Sequence, residues 1–314
     1  MNIVFMGTPQ FSVRILEAVH DKYGVTLVVT QPDKRVGRKR VLTYSPIKEK
    51  ALELKIPVFQ PRRIKQDFDV ILDTKPDLII TAAYGQIIPN EVLDAPRLGC
   101  INVHGSLLPQ LRGGAPIQRA IQRLYVTTGI TIMYMAQQMD SGDIISQRSI
   151  TIQPYDTSGT LFEKLSVLGR DLLMDTLPDI VAGTNSRTPQ DESLVTYAYN
   201  LKRDEEHINW GRSCEEIDAH IRAFTPEPQC YSILDNKRLK ILEVQPCTYP
   251  KNTTFDQYQN GTIVEVQKEY FGVKAEDGVI KVFTVQLEGK TKQDVKTFMN
   301  GSGRNMIKLY KVFQ

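Results

Sequence analysis

The stretch Cys100–Gly114 reads CINVHGSLLPQLRGG and sets an asparagine and a histidine two positions apart, at Asn102 and His104. The apolar Cys100, Ile101 and Val103 predict a short strand that ends at His104. Gly105, Pro109, Gly113 and Gly114 then break into a loop. Alternate residues of a strand share a face, so the amide and the imidazole stand side by side at the strand's carboxyl end. In open α/β sheets that end is where ligand sites gather. The pair suits acyl transfer. An amine that attacks a carbonyl creates an oxyanion, which needs hydrogen-bond donors already in place. A histidine can also carry the proton that the amine sheds. The structural alternative is an asparagine bonded to a turn and a histidine packed at a strand end.

Asp140 and Asp143, in MDSGD, add carboxylates near the end of a further strand, with Gly142 expected to permit a tight turn. A carboxylate beside His104 would orient the ring and favour its charged form. Asn102, His104 and Asp140 would then polarise a carbonyl and manage a proton. A solvated turn is the plainer reading of the two aspartates. A metal site needs more ligands within reach than these, so no metal is expected.

The elements that must hold these residues follow an α/β order. Asn2–Met6 and Val25–Thr30 read as strands around a helix from Ser12, its expected N-cap, to about His20. The turn between has one glycine where a dinucleotide fold carries GxGxxG, which disfavours a nicotinamide cofactor. Ser45-Pro46 caps a helix, and Leu78–Ala82 is a buried strand leading into the loop Ala83–Pro89. Gly129–Ala136 and Ile144–Ile152 alternate as strands. Thr160-x-x-Glu163 and Ser213-x-x-Glu216 have the pattern of capping boxes. Gly183–Asn200 is polar and irregular, as a linker is. From Tyr231 onward short strands and turns suggest a small barrel or sandwich.

A chain of 314 residues with 41% hydrophobic and 24% charged residues is expected to fold as about two domains. The four cysteines form no CxxC pair, so a reducing compartment is expected. No signal peptide or membrane span is expected from the apolar runs. The net charge is +3, yet Gln31–Lys50 holds seven basic residues against two acidic ones. Its loop, with Lys34, Arg35, Arg38, Lys39 and Arg40 around Gly37, suits the phosphates of a nucleic acid. The carboxyl-terminal lysines and arginines are largely balanced by acids and signal less.

Long segments of the chain resemble the folate-dependent formyltransferase family, and within it the members that act on methionyl-tRNA. The segments are Met6-Gly7-Thr8-Pro9, QPDKRVGRKR from Gln31, AAYGQIIP from Ala82, INVHGSLLPQLRGGAPIQRAI from Ile101, GITIMYM from Gly129, Met139–Asp143 and IRAFTPEP from Ile221. The resemblance implies a Rossmann-like α/β formyltransferase domain with a mostly parallel sheet over 1–183. A linker over 184–205 and a small OB-like β-barrel, binding tRNA, over 206–314 would follow. It implies formyl transfer from 10-formyltetrahydrofolate to the methionine amine of initiator Met-tRNA. Asn102, His104 and Asp140 fall on the family's catalytic positions. Ser106, Leu107, Leu108 and Pro109, with Tyr84, Gly85, Gln86 and Ile87, fall on its folate contacts. Lys34, Arg35, Arg38, Lys39 and Arg40 fall on its tRNA-contacting loop. A cytoplasmic monomer is expected. The family commonly has Pro-Trp-Pro where this chain has Pro226-Glu227-Pro228. Two rival readings stay open: a formyltransferase for a sugar nucleotide or glycinamide ribonucleotide, and an RNA-binding protein without catalysis.

Overall fold

The structure is a computed structural model and describes residues 1–37, 40–249 and 255–314. Its contacts divide the chain into two compact units. The first comprises residues 1–116, 127–151 and 161–199, and the second residues 117–126, 152–160 and 200–314.

In chain order, the elements up to residue 182 are β1 (Ile3–Gly7), α1 (Val13–Tyr23), β2 (Leu27–Val29), β3 (Lys34–Val36), β4 (Val41–Thr43), α2 (Pro46–Glu53), β5 (Val58–Phe59), α3 (Asp69–Asp73), β6 (Leu78–Ala82), α4 (Asn90–Leu93), β7 (Cys100–His104), α5 (Pro116–Gln122), β8 (Thr127–Tyr134), β9 (Ile144–Thr151) and α6 (Ser158–Ala182). Seven strands form one sheet in the order β5-β2-β1-β6-β7-β8-β9. The first five are parallel, while β8 and β9 run antiparallel. This is the α/β architecture expected from the sequence. Strand order reverses between β1 and β6, so their carboxyl ends open the crevice where such sheets bind ligands.

The apolar runs of β1, β2 and β6 are buried, as central parallel strands must be. Alternation sends Val4, Met6, Leu27, Val29, Ile79 and Cys100 into one core cluster with Ile71 of α3 and Val92 of α4. Two helix starts differ from expectation. Ser12 makes no cap; its hydroxyl donates to the Ala82 carbonyl at 2.5 Å, and a 3-10 turn over Gln10–Ser12 leads into α1. α6 begins at Ser158, before the expected box, and the Thr160 hydroxyl donates to Asp156 Oδ1 at 2.8 Å. Ser45 does cap α2, accepting from the Lys48 amide at 3.1 Å.

The second unit contains α7 (Cys214–Ala223), β10 (Cys230–Leu234), β11 (Lys237–Thr248), β12 (Ile263–Val266), β13 (Phe271–Lys274), β14 (Gly278–Leu287), β15 (Gln293–Asp294) and α8 (Val295–Asn300). Its sheet is antiparallel in the order β10-β11-β14-β13-β12, with β15 on β14. Ser213 and Glu216 form the expected capping box at α7. The terminal segment 310–314 covers both outer strands. It pairs with Ile263 of β12 and with Ile233 of β10, which protects edges that would otherwise expose unpaired backbone. Glu227, where the family commonly has tryptophan, is exposed.

Candidate active site

Parallel pairing of β6 with β7 sets Thr81 opposite Asn102. The Thr81 hydroxyl, almost fully buried, reaches Asn102 Oδ1 at 2.9 Å and the Ile101 carbonyl at 3.1 Å. With its amide oxygen turned to Thr81, Asn102 keeps Nδ2 for the site, and the residue is only half-buried. Thr81 was not marked by the sequence, since nothing in its spacing from Asn102 reveals a neighbouring strand.

His104 is buried at the end of β7. Its Nε2 lies 3.1 Å from the Leu111 carbonyl. A carbonyl only accepts, so Nε2 carries the proton and Nδ1 is the nitrogen left for chemistry. Nδ1 stands 3.8 Å from Asp140 Oδ1. That is ion-pair distance and too long for a direct hydrogen bond. Asp140 Oδ2 accepts from the Gly113 amide at 2.8 Å, so the glycine loop after Pro109 fixes the carboxylate.

The turn that presents Asp140 departs from the expected use of Gly142. The left-handed residue is Asp140 itself, at φ 51°. Gly142 is needed for space, because a Cβ there would sit 1.9 Å from the Tyr134 carbonyl oxygen. Asp143 turns to Arg187 at 3.1 Å and does not join the His104 cluster.

Ser106–Pro109 follows β7 directly and is pinned by β8 and β9. Thr131 donates its hydroxyl to the Ser106 carbonyl at 2.7 Å and accepts from the Leu108 amide at 3.1 Å. Gln147 Nε2 donates to the Leu108 carbonyl and to Thr131, both at 2.8 Å. Gly129 lets Leu107 pack on β8, where a Cβ would lie 2.6 Å from Leu107 Cδ2. Within this loop Ser106 and Leu108 are buried, and the Ser106 hydroxyl is spent on the Gln110 carbonyl at 2.7 Å. Leu107 and Pro109 keep partly exposed surface.

The loop after β6 divides in the same way. The Tyr84 side chain lies in the core cluster with its hydroxyl unpartnered, and burial pushes that phenol well above its ordinary range. What Tyr84 presents is backbone: its carbonyl accepts from Thr8 Oγ1 at 2.9 Å and from Gln31 Nε2 at 3.0 Å. Gln86 is spent on the Ile64 amide, Gln31 and the Pro61 carbonyl. Gly85 is exposed with φ 89°, and Ile87 is 71% exposed. Ile87 is therefore a large apolar side chain of this loop that is free to cover a ligand.

The basic loop forms the two-stranded hairpin β3–β4, with Lys34, Arg35 and Arg40 exposed. Arg38 and Lys39 lie outside the described residues. Asp33 anchors the hairpin's base through Lys48 at 2.6 Å and Gln60 at 2.9 Å. The Gln60 hydrogen bond, and then Lys48, hold its carboxyl below the usual carboxylate range. Among the described residues no group of three His, Cys, Asp or Glu side chains could hold a metal ion, and no helix is long and apolar enough to cross a membrane.

A formyl transferase family model matches residues 1–177, and a formyl transferase C-terminal domain model matches 200–303. A protein of Listeria monocytogenes named methionyl-tRNA formyltransferase is 48% identical over 98% of this chain and 97% of its own length. One of the same name from Latilactobacillus sakei is 47% identical over 97% of this chain and 96% of its own. Among solved structures, an N-formyltransferase from Helicobacter canadensis in complex with folinic acid and dTDP-3-aminofucose superposes with a TM-score of 0.68. It is 20% identical over 93% of this chain and 99% of its own, a likeness of fold.

Proposed function

This chain belongs to the methionyl-tRNA formyltransferase family, and on that premise we propose that it moves the formyl group of 10-formyltetrahydrofolate to the methionine amine of initiator Met-tRNA. The observation that carries the reading is the cluster at the end of β7. There Asn102 Nδ2 and His104 Nδ1 are the polar groups left unspent, with Asp140 Oδ1 3.8 Å from the ring nitrogen.

The amine attacks the formyl carbon on N10 of the folate, and the carbonyl electrons move to oxygen. Asn102 Nδ2 donates to that oxygen. His104 Nδ1 and Asp140 Oδ1 take and hold the amine's proton. The carbon–N10 bond then breaks and N10 is reprotonated, leaving tetrahydrofolate and a formamide. The folate is a substrate here. Leu107, Pro109 and Ile87, with the Gly85 backbone, are the surface that fits it, while Ser106, Leu108, Tyr84 and Gln86 shape that surface from behind. Lys34, Arg35 and Arg40, together with Arg38 and Lys39, serve the tRNA phosphates.

In this reading residues 1–183 carry the chemistry and 206–314 assist tRNA binding across the stretch 184–205. The protein works as a cytoplasmic monomer. The test offers labelled formyl-folate with initiator Met-tRNA and, separately, with an amino-sugar nucleotide and with glycinamide ribonucleotide. Label on the methionine amine supports the reading. Label on a small amine alone, or on none, overturns it.

A further inference from the structure

We propose that Gln190 is a positioning residue for formyl transfer, whose amide locks the Asp140 turn to the loop that holds His104. The inference rests on the catalytic reading of His104 and Asp140. Gln190 lies in the polar stretch that the sequence offers only as a linker, yet it is committed at both ends. Nε2 donates to the carbonyls of Asp140 and Gly142, each at 2.8 Å. Oε1 accepts from Arg112 Nε at 3.0 Å and Nη2 at 2.8 Å. Two acceptors on one side and a guanidinium on the other leave a single orientation for the amide.

Each partner leads to the ion pair. Asp140 has the left-handed backbone, which a residue with a side chain keeps only when its surroundings impose it. Gln190 grips that turn from behind. Arg112 is 2% exposed, and its remaining charged partner, Glu192 at 2.8 Å, is largely in solvent. The Arg112 main chain pairs with Thr196 and Ala198 at 2.9 and 2.7 Å, and the Leu111 amide donates to Thr196 Oγ1 at 2.9 Å. Leu111 then receives His104 Nε2, and Gly113 holds Asp140 Oδ2. One side chain thus joins the two supports that set the distance between Nδ1 and Oδ1. A displacement of about 1 Å at such a site is enough to cost roughly a hundredfold in rate.

The experiment compares full-length Gln190→Ala, Gln190→Glu and Asp140→Asn for kcat, both KM values, the pH profile of kcat, and thermal midpoint. A glutamate still pairs with Arg112 but turns an oxygen on the two carbonyls, so it keeps the fold and releases the turn. The expected result for both Gln190 variants is a kcat lower by about ten- to a hundredfold. Both KM values should stay within about threefold, and the pH limb should move. Rescue of kcat by glutamate, or an unmoved pH profile with any loss confined to KM, overturns the proposal. Should alanine fail to fold, glutamate decides. If Asp140→Asn keeps full kcat, the catalytic reading itself falls. If it is crippled while folded Gln190→Glu behaves as wild type, only the role of Gln190 falls.

Discussion

His104 gives its Nε2 proton to the main-chain carbonyl of Leu111 at 3.1 Å, so a backbone group, and not the substrate, occupies one of its two nitrogens. The ring therefore has two separable jobs. A glutamine side chain reaches about as far as Nε2 and keeps the loop contact, but it offers nothing at the Nδ1 position. His104→Gln should bind tRNA and folate with near-normal affinity while kcat falls by about a hundred- to ten-thousandfold, the scale of removing a general base. Steady-state kinetics together with direct tRNA binding checks the split.

Thr81 orients Asn102 across the β6–β7 pair. Removing one hydroxyl hydrogen bond of this kind costs about 1 kcal/mol, or roughly fivefold. Thr81→Val should lower kcat by about that factor with both KM values unchanged, and Thr81→Ser should restore it. Equal kcat in all three proteins would remove Thr81 from the site.

The hairpin β3–β4 presents Lys34, Arg35 and Arg40 to solvent on a base held by Asp33. Replacing the three with alanine should raise the KM for tRNA and leave that for folate unchanged. The slope of log affinity against log salt should flatten by about 0.9 for each phosphate of a duplex stem that is no longer neutralised. Binding measured at several salt concentrations tests this.

His220 in the second unit is locked as the neutral tautomer. Nε2 donates to the Glu205 carbonyl at 2.8 Å, and Nδ1 accepts from Gln122 at 3.0 Å. Gln122 Oε1 meanwhile accepts a hydrogen bond from Arg119 at 2.6 Å, so the amide has no free flip. Burial, the leading cause, holds His220 below its ordinary 6.5. Between the folded and unfolded values the unfolded chain binds the extra proton, so stability is full above 6.5 and falls as pH drops below it. Urea unfolding from about pH 7.5 to about pH 5.5 should show this loss. His220→Gln should lose less over the same range than wild type, which isolates His220 from the other histidines.

The sequence made the chemistry visible where it was local. Asn102 and His104 share a face because a strand alternates, and the βαβ order announced the sheet whose end they occupy. Ser45 and Ser213 were legible as caps for the same reason, being set by residues three positions away. What stayed hidden was set by residues far apart in the chain. Thr81, Thr131, Gln147 and Gln190 lie 21, 25, 39 and 50 positions from the groups they hold, and no periodicity marks them. Tyr84 shows the converse. The family resemblance implies a folate contact there, yet the residue turns its ring into the core and offers the site only backbone.

Single-turnover formylation at saturating formyl-folate and initiator Met-tRNA isolates the chemical step at the end of β7. For Asn102→Ala and Asp140→Asn the rate should fall by about a hundredfold or more, with tRNA affinity within about threefold of wild type. Rates near wild type in both variants would contradict a catalytic role for this cluster.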